Sequence, residues 1–474
     1  MNWTNSQINA KDILQKWLTS TLVNQADHFR CLEGPAGSGK STVISAIIDD
    51  IPKNKILGAA PTHTAKDVLT EFSGLTAVTV HQLLGLKPDI NLEYYNPANP
   101  IYAPLNNDLF EKESIALIII DESSMLNSPI VTMIKERALE TSKKVLFIGD
   151  RLQLPPINES ISTVFTTIET VSLIEIVRQT GSNPANDMIS LARKDAQENT
   201  DEFKSYIEQI GLENPINIIE SEQGIEEGFI VSNDGAKIKD KLYSLFSTTQ
   251  ALYDYKHVKI VAFMNEKVKS YNKLIKKIIN PSELPISEGD WLLGYAPFKQ
   301  KKKSVTQNGM YYKVISATLG FHALDKDINV QIIRTTLKYK ITLDNGTIKE
   351  VDMTMKFLHP DSYSIYYPKL LEAWTNGTSF RRWTAYYNLM ESFALLDDFD
   401  ISTEEANGKI KKHSLAKKNM DLGYAITVHK SQGSTYNNVY IDYENFSRCF
   451  DDSTRRRLTY VAVSRMRNIN MVYG

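Results

Sequence analysis

Apolar runs alternate along the chain with segments of helical period. Residues 54–61 (NKILGAAP), 114–125 (SIALIIIDESSM) and 143–150 (KKVLFIGD) predict strands buried on both faces, and KSTVISAIIDDI, starting at Lys40, predicts a helix. A second series begins at 258–265 (VKIVAFMN) and resumes with GYAITVHKSQGS, NNVYIDY and NINMVYG. Strands that alternate with helices are typical of a parallel sheet covered on both faces. We therefore expect an α/β protein with two such domains.

The pattern changes between residues 285 and about 420. EGDWLLG, NGMYYKVISATLG and VQIIRTTLKYKITLDNGTIKEVDM predict short alternating strands, and the pair Asn345-Gly346 predicts a tight hairpin. We expect a small antiparallel barrel inserted in the second α/β domain. Residues 361–397 within this insert are rich in aromatic side chains and partly helical in pattern. Such a stripe favours packing over ligand binding.

The segment 28–42 (HFRCLEGPAGSGKST) joins an apolar strand to a glycine-rich loop of the form G-x-x-x-x-G-K-S. Glycines allow backbone N–H groups to approach phosphates closely, and the helix that follows adds partial positive charge. Lys40 would reach the β and γ phosphates of a nucleoside triphosphate, and the Ser41 hydroxyl would ligate Mg²⁺. The predicted nucleotide-binding residues of this loop are Gly34, Pro35, Ala36, Gly37, Ser38, Gly39, Lys40, Ser41 and Thr42.

A pair of carboxylates, Asp121 and Glu122, follows the apolar strand of residues 114–125. Ligands in open parallel sheets bind beyond the carboxyl ends of the strands, so Asp121 is expected beside Ser41 on one metal ion. Glu122 is then placed to orient or deprotonate the attacking water. Gln153 follows another strand and is a candidate γ-phosphate sensor; a plain surface amide is the alternative for it.

Composition limits the class of protein. A chain of 474 residues suggests about three domains. Hydrophobic residues make up 42% of it and the mean hydropathy is −0.29, which are typical values for a soluble globular protein. We see no apolar run long enough to cross a bilayer. The first residues, MNWTNSQINAKD, lack the basic flank and hydrophobic core of a secretory signal. We expect it inside the cell, in the cytoplasm. Two cysteines exclude a disulfide framework. The net charge of −2 means that any nucleic-acid binding must come from a local channel.

The order of these motifs resembles that of the superfamily 1B DNA helicases, most closely the Dda and RecD-like branch typical of phages. The resemblance covers nearly the whole chain. The matching segments, besides the phosphate loop and the paired carboxylates, are WTNSQ (3–7), APTHTAKDVL (60–69), TVHQLLG (79–85), GDRLQLPP (149–156), VRQT (177–180), ITVHKSQGST (426–435) and YVAVSRMRN (460–468).

The resemblance implies further roles for residues of the ATP site. Gln7 would read adenine, and Gly433 would join the nucleotide-binding set. Arg178 and Arg465 would supply positive charge to the transferring phosphoryl group, a contribution of about 10³ to 10⁵ in rate. Since Arg465 belongs to the second α/β domain, it would complete the site only when the cleft closes. Arg455–Arg457 and Arg467 are interpreted as helix-surface arginines.

The resemblance also implies a track for a single DNA strand across both domains. Short hydroxyl and imidazole side chains in loops after strands suit phosphate contacts without sequence preference. The predicted DNA-binding residues are Pro61, Thr62, His63, Thr79, His81, Thr427, His429 and Ser431. A lone histidine is more often structural, and His63 and His81 are DNA candidates only through the resemblance.

The fold implied is two RecA-like parallel-sheet motor domains, with a pin-bearing insertion in the first and an SH3-like β-barrel insertion in the second. The expected boundaries are 1–86 and 114–180 for the first domain, 87–113 for the pin subdomain, 181–284 and 421–474 for the second domain, and 285–420 for the barrel with its aromatic hook. Tyr94, Tyr95 and Tyr102 are candidate strand-separating wedges, since a base stacked on an aromatic ring gains about 1–3 kcal/mol. Simple packing explains these tyrosines equally well.

We therefore expect a helicase or translocase that uses ATP and Mg²⁺ to move on single-stranded DNA, 5′ to 3′ by resemblance. Expected partners are single strands and single/double-strand junctions, with single-strand-binding or replication proteins as candidates; we expect no membrane association and a monomer. The main alternative is a DNA-dependent ATPase that displaces proteins without unwinding. A small-molecule kinase would explain the phosphate loop but neither the arginine motifs nor the second α/β domain.

Overall fold

The computed structural model describes residues 3–88, 102–104, 109–175, 183–213, 215–221, 223–232, 234–300, 303–326, 328–342, 347–404 and 410–474. The Asn345-Gly346 pair, Tyr94, Tyr95 and Arg178 lie outside these residues. Within them, no helix has the length and apolar character needed to cross a bilayer.

The first domain is built on a parallel sheet. Its elements are α1 Asn5–Thr19, β1 Phe29–Glu33, α2 Lys40–Ile48, β2 Ile56–Ala60, α3 His63–Ser73, β3 Ala77–Thr79, α4 Val80–Leu83, β4 Leu86–Pro88, β5 Tyr102–Pro104, β6 Leu117–Ile120, α5 Ser128–Glu140, β7 Lys144–Gly149, α6 Val164–Thr167 and β8 Thr170–Ser172. Six strands pair in the order β3–β2–β6–β7–β1–β8, and all of these pairs are parallel. Strands β4 and β5 form a separate two-stranded antiparallel ribbon in the segment where a pin is expected.

Strand β6 shows why its sequence forms a central strand. All four of its residues are buried, and successive side chains enter different hydrophobic clusters. Ile118 and Ile120 pack with Phe147, whereas Ile119 packs with Leu32 and Ile44. Helices cover both faces of this sheet, so side chains on both faces of the strand are buried and a continuous apolar run is favoured. The prediction of a strand buried on both faces is confirmed.

The second domain begins with helices and strands that precede the insert. They are α7 Ala185–Glu198, α8 Glu202–Glu213, β9 Ile216–Glu220, β10 Glu226–Ser232, α9 Gly235–Phe246, α10 Thr249–Tyr253, β11 Val258–Ala262 and α11 Asn265–Ile279.

The insert contains an antiparallel sheet and two helices. Its elements are β12 Trp291–Gly294, β13 Lys299–Gln300, β14 Lys303–Ser304, β15 Tyr311–Asp325, β16 Ile328–Thr342, β17 Ile348–Leu358, α12 Tyr363–Phe380, α13 Thr384–Ser392, β18 Phe399–Glu404, β19 Ile410–Ala416 and β20 Met420–Leu422. Five strands pair in the order β17–β16–β15–β12–β20. The expectation of short strands was wrong for β15 and β16, which have 15 residues each, because they pair along most of their length across two register shifts. Closure into an SH3-like barrel stays a prediction.

The aromatic segment of the insert packs against its sheet. Tyr366 and Tyr386 are buried beside Phe393 and Phe399, and the hydroxyl of Tyr366 donates to the Leu389 carbonyl at 2.9 Å. These contacts confirm packing as the role of the two buried tyrosines.

The chain then returns to the second domain through β21 Ala425–Thr427, α14 Val428–Ser431, β22 Tyr436–Asp442, α15 Asp452–Val463 and β23 Met466–Tyr473. Its six strands pair in the order β21–β11–β22–β23–β10–β9, with only β9 antiparallel to its neighbour. The molecule thus has two RecA-like parallel sheets, as predicted. In both, the loops that follow the carboxyl ends of the strands carry the predicted functional residues.

Candidate nucleotide site and strand track

The phosphate loop spans the six residues between β1 and α2. Gly37 and Gly39 have φ of 81° and 83°, a left-handed conformation that strongly favours glycine. The Gly34 N–H donates to the Gly149 carbonyl at 3.1 Å, which ties the loop to the end of β7. The Lys40 ammonium donates to the Gly34 and Pro35 carbonyls at 2.5 and 2.9 Å. The lysine is therefore held over the concave side of the loop.

Gln7 braces this loop from the N-terminal helix. Its Nε2 donates to the Ser38 carbonyl at 2.9 Å, and its Oε1 accepts from the Thr4 N–H at 3.0 Å in a capping box of α1. A Cβ added to Gly39 would lie 2.3 Å from Gln7 Nε2, so the two residues fit closely. The structure thus gives Gln7 a contact with the phosphate loop, and its reading of adenine stays a prediction.

The paired carboxylates lie directly after β6. Asp121 Oδ1 accepts the Glu122 N–H at 2.8 Å, and Glu122 has a left-handed φ of 52°. Burial raises the pKa of Glu122 to about 7, and the charge of Asp121 adds to the increase, while Arg465 and Lys40 oppose it. Burial also raises the pKa of Asp121, against the effect of Lys40. Both carboxylates therefore lie within electrostatic range of Lys40.

Among the described residues, two buried polar atoms near the phosphate loop lack hydrogen-bond partners that a bound triphosphate could supply. The Ser38 hydroxyl and Gln153 Oε1 are buried with no hydrogen-bond partner in the described part of the chain. Buried polar atoms normally find partners, so a ligand at this position would satisfy them. Gln153 is only 5% exposed, which excludes the surface-amide alternative. The Ser41 hydroxyl and the Asp121 carboxylate are the oxygen ligands that would hold Mg²⁺, which neutralises charge on the phosphates.

Arg465 of the second domain is buried near this site and hydrogen-bonds within its own domain. It follows α15 and is 4% exposed, with its Nε donating to the Val461 carbonyl at 2.9 Å and its Nη2 to the Ser464 hydroxyl at 2.9 Å. Its charge lowers the pKa of Glu122, which places the guanidinium within electrostatic range of that carboxylate. Arg178, the other predicted arginine, lies outside the described residues.

Two residues of α15 to which the sequence assigned no role in the ATP site, Arg457 and Tyr460, join the domains. The Tyr460 hydroxyl donates to Asp150 Oδ2 at 2.7 Å and accepts the Ala36 N–H at 3.2 Å. Arg457 Nη1 donates to the Arg151 carbonyl at 3.0 Å and to the Gln153 carbonyl at 3.2 Å. The interpretation of Arg457 as a helix-surface arginine was wrong, because it binds the segment that carries the sensor. The sequence signal that could have identified Tyr460 was the YVAVSRMRN motif, of which it is the first residue.

The segment after α14 also touches the first domain. Gln432 Nε2 donates to the Ser124 hydroxyl at 3.2 Å and the Leu154 carbonyl at 3.3 Å. Gly433 has φ of 75°, and a Cβ there would lie 3.0 Å from the Ala65 Cβ and 3.6 Å from the Glu122 Cγ. Gly433 therefore lies at the domain interface beside the predicted catalytic carboxylate, and its contact with nucleotide stays a prediction.

The predicted strand track repeats one local structure. Thr62, Thr79 and Thr427 each lie at or just after the end of a strand and cap the next helix, accepting a backbone N–H at 3.2–3.3 Å. The sequence Thr-Val-His occurs at two of these caps, one in each domain, so His81 and His429 occupy equivalent positions. At the remaining cap His63 directly follows Thr62, one position earlier in its helix than His81 and His429 are in theirs; Pro61 precedes that cap.

The histidines of the track are neutral near pH 7. Burial lowers the pKa of His63 to about 4, with a contribution from Lys66, and burial lowers the pKa of His81 and His429 as well. Ser431 differs from the other track residues because it is fully buried and its hydroxyl donates to the Val428 carbonyl at 2.7 Å. Of the wedge candidates, Tyr94 and Tyr95 lie outside the described residues, and Tyr102 begins β5.

Comparisons with known proteins identify related family models, sequences and structures. A family model described as an AAA domain matches residues 12–210, and one described as a UvrD-like helicase C-terminal domain matches residues 422–468. An uncharacterised protein of Acanthamoeba polyphaga mimivirus is 24% identical over 98% of this chain and 97% of its own length. The ATP-dependent DNA helicase dda of Enterobacteria phage T4 is 25% identical over 66% of this chain and 67% of its own. A Pif1 helicase structure from Bacteroides is 19% identical over 99% of this chain and 92% of that chain, with a TM-score of 0.46.

The first domain carries a phosphate loop, and the second domain contacts that loop through Tyr460. This arrangement defines a two-domain P-loop motor ATPase. One family model covers most of the first domain and extends into α8 of the second, and the other covers the final segment of the second domain. The matched family models and relatives support a superfamily 1B helicase of the Dda and RecD type.

Proposed function

We propose that this protein is an ATP-dependent DNA helicase that translocates along single-stranded DNA in the 5′ to 3′ direction. The observation that supports the proposal is that residues of both motor domains meet at the phosphate loop and at the paired carboxylates. The Ala36 N–H of the first domain donates to the Tyr460 hydroxyl of the second at 3.2 Å, and the charge of Arg465 in the second domain lowers the pKa of Glu122 in the first. A site of this kind makes the distance between the domains depend on the nucleotide it holds.

The proposed cycle assigns a role to each group. Lys40 and the backbone N–H groups of the loop bind the phosphates, and Gln153 contacts the γ-phosphate. Glu122 accepts a proton from the attacking water, for which a carboxylate with a raised pKa is suited. Arg465 and Arg178 stabilise the charge on the transferring phosphoryl group. Loss of the γ-phosphate removes these attractions, and the domains part.

Movement on DNA follows from alternating grip. Thr62 and His63 contact the strand in the first domain, and Thr427 and His429 contact it in the second. Closing and opening of the cleft then shifts one set relative to the other by a step along the strand. Contacts with phosphates rather than base edges make the motion independent of sequence.

The finer parts of the proposal concern the ion, the DNA structure and the assembly. Ser41 and Asp121 would hold Mg²⁺, which would neutralise charge on the phosphates. The enzyme acts as a monomer on single strands and on single/double-strand junctions, where the segment 87–113 parts the bases and the insert 285–420 supports it. Single-strand-binding or replication proteins are the proposed protein partners.

Turnover of ATP with and without DNA tests the coupling. We expect slow hydrolysis by the protein alone and strong stimulation by a single-stranded oligonucleotide, because the strand stabilises the closed arrangement of the domains. Equal turnover in both conditions would contradict the proposal. A forked duplex separates a helicase from an ATPase that only displaces proteins, since the latter would be stimulated without releasing the annealed strand.

A further inference from the structure

An ion pair joins the strand before the phosphate loop to the segment that carries the candidate γ-phosphate sensor. Glu33 is the last residue of β1, and Arg151 lies two positions after the end of β7. The Arg151 guanidinium donates to both oxygens of the Glu33 carboxylate, from Nε at 2.5 Å and from Nη2 at 2.6 Å. Two parallel hydrogen bonds fix the direction of a guanidinium as well as its distance. The pair therefore sets the position of Arg151 relative to β1.

The carboxylate of this pair is largely removed from solvent. The Glu33 side chain is 12% exposed, whereas the Arg151 side chain is 44% exposed. The guanidinium carbon of Arg151 lies 5.8 Å from the ring centroid of Phe165, and this contact favours the same orientation. Removal of the arginine would leave a mostly buried charge without its partner, directly before Gly34 of the phosphate loop. A negative charge there would also repel an anionic triphosphate, so Glu33 depends on Arg151.

A tight turn carries this restraint from Arg151 to Gln153. The Gln153 N–H donates to the Asp150 carbonyl at 3.1 Å, and the Leu152 N–H donates to Asp150 Oδ1 at 3.0 Å. The Gln153 side chain is buried, and its Oε1 has no hydrogen-bond partner in the portion of the chain that the structure describes. Because that oxygen is not held by a protein donor, the position of the amide depends on the backbone turn that carries it.

The second domain binds the same turn. Arg457 Nη1 donates to the carbonyls of Arg151 and Gln153 at 3.0 and 3.2 Å, and the Tyr460 hydroxyl donates to Asp150 Oδ2 at 2.7 Å. The turn of residues 150–153 is therefore tied to both domains: Glu33 holds it to β1, and two residues of α15 hold it to the second domain. A shift of the turn away from β1 would change all of these contacts together.

We propose that Arg151 is a positioning residue of the ATP site, which through its ion pair with Glu33 holds the turn so that Gln153 distinguishes a triphosphate from a diphosphate. This inference rests on the proposed function, since it requires a nucleoside triphosphate at the phosphate loop. It deepens that function because recognition of the γ-phosphate then depends on a pair that does not itself bind nucleotide. Glu33 and Arg151 act as one unit, and loss of either releases the turn.

Binding of a fluorescent, non-hydrolysable ATP analogue, compared with binding of fluorescent ADP, tests this role. We expect Arg151→Gln and Glu33→Gln each to lower the ratio of triphosphate to diphosphate affinity severalfold, together with kcat for ATP in the presence of DNA. The double variant should lose no more than Arg151→Gln alone, because the effects of residues in contact are not additive. Arg151→Lys keeps the charge but not the two parallel hydrogen bonds, so its affinity ratio should lie between those of Arg151→Gln and the unsubstituted protein.

The control is Arg137→Gln, which removes an arginine that pairs with Glu140 at 2.5 Å on α5 of the same domain. Its affinity ratio should equal that of the unsubstituted protein. Thermal melting of every variant checks the fold, and Arg151→Lys tests the role even if a glutamine variant is less stable. An unchanged affinity ratio in Arg151→Gln and Arg151→Lys, or additive losses in the double variant, would overturn the inference while leaving the helicase proposal intact. Absence of nucleotide binding and hydrolysis by the unsubstituted protein would instead contradict the proposed function.

Discussion

The phenolic hydroxyl of Tyr460 lies 2.7 Å from the carboxylate of Asp150, although the two residues belong to different motor domains. The same hydroxyl accepts the N–H of Ala36 in the phosphate loop at 3.2 Å. Tyr460 is fully buried, and burial together with the charge of Asp150 raises its pKa well above the ordinary value. The hydroxyl therefore stays protonated and forms a fixed bridge between the second domain and two parts of the ATP site.

Removal of this bridge should impair use of ATP. Tyr460→Phe keeps the packed ring but leaves the Asp150 carboxylate without its donor, and a hydrogen bond to a charged group is worth about 1.5–3 kcal/mol. We expect kcat/KM for ATP in the presence of DNA to fall at least about tenfold, with DNA affinity measured without nucleotide unchanged. Steady-state kinetics and anisotropy measure the two quantities. The control is Tyr253→Phe, whose ring is 78% exposed; equal kinetics in the two variants would show that the bridge has no role.

Close approach of the domains at Gly433 should be needed for stimulation by DNA. In Gly433→Ala the new Cβ would lie 3.0 Å from that of Ala65. The left-handed backbone adds about 1–2 kcal/mol of strain. Gly224→Ala is a matched control, because its φ of 71° is similar but its Cβ would meet only the Glu220 side chain at 3.6 Å. We expect several-fold weaker DNA stimulation of ATPase in Gly433→Ala alone. Equal losses in both variants would assign the effect to backbone strain.

Loss of the Glu122 carboxylate should separate binding from hydrolysis. Glu122→Gln keeps the shape of the side chain but removes the proton acceptor, and such an acceptor contributes about 10²–10⁴ in rate. We expect hydrolysis to fall by at least about 100-fold while a fluorescent ATP analogue still binds and the protein remains on DNA. Near-normal turnover would show that another group activates the water. Failure to bind nucleotide would assign Glu122 to binding instead.

Lys259 should make stability depend on pH. It is 1% exposed, its ammonium lies 4.6 Å from the Tyr311 ring centroid, and burial lowers its pKa from 10.5 to about 7. Between these values the unfolded chain binds more protons than the folded one, so this lysine's contribution to stability increases as pH rises through that window. The melting temperature of the protein relative to Lys259→Met should therefore rise from about pH 7 to about pH 9.

The matched control for this dependence is Lys256→Met, which removes a lysine with a side chain 33% exposed. The difference in melting temperature between this variant and the unsubstituted protein should stay constant from about pH 7 to about pH 9. A constant difference for Lys259→Met as well would show that the buried amine does not titrate in this window.

Local spacing explains what the sequence could predict. Gly34, Lys40 and Ser41 lie within eight consecutive positions, and an apolar strand of residues 117–120 carries Asp121 to its end, so short-range pattern was sufficient to find them. The antiparallel character of the insert followed from alternating residues in the same way. The lengths of β15 and β16 did not, because they depend on pairing between strands.

Contacts between distant positions could not be predicted by this route. Tyr460 and Asp150 are separated by 310 positions, and Tyr460 and Ala36 by 424. Arg457 has the local pattern of an exposed helical residue, and only the docking of α15 on the first domain gives it the Arg151 and Gln153 carbonyls as partners. The ion pair between Glu33 and Arg151, which are 118 positions apart, likewise arises only in the folded chain.

Strand separation on partial duplexes tests the central claim most directly. Two substrates carry the same duplex with a single-stranded tail at either the 5′ or the 3′ end, at a stated salt concentration, since affinity depends steeply on salt. The account predicts ATP-dependent release of the annealed strand from the 5′-tailed substrate and little from the 3′-tailed one. Release from neither substrate, by a protein that binds both and hydrolyses ATP, would contradict the claim that the two domains drive unwinding.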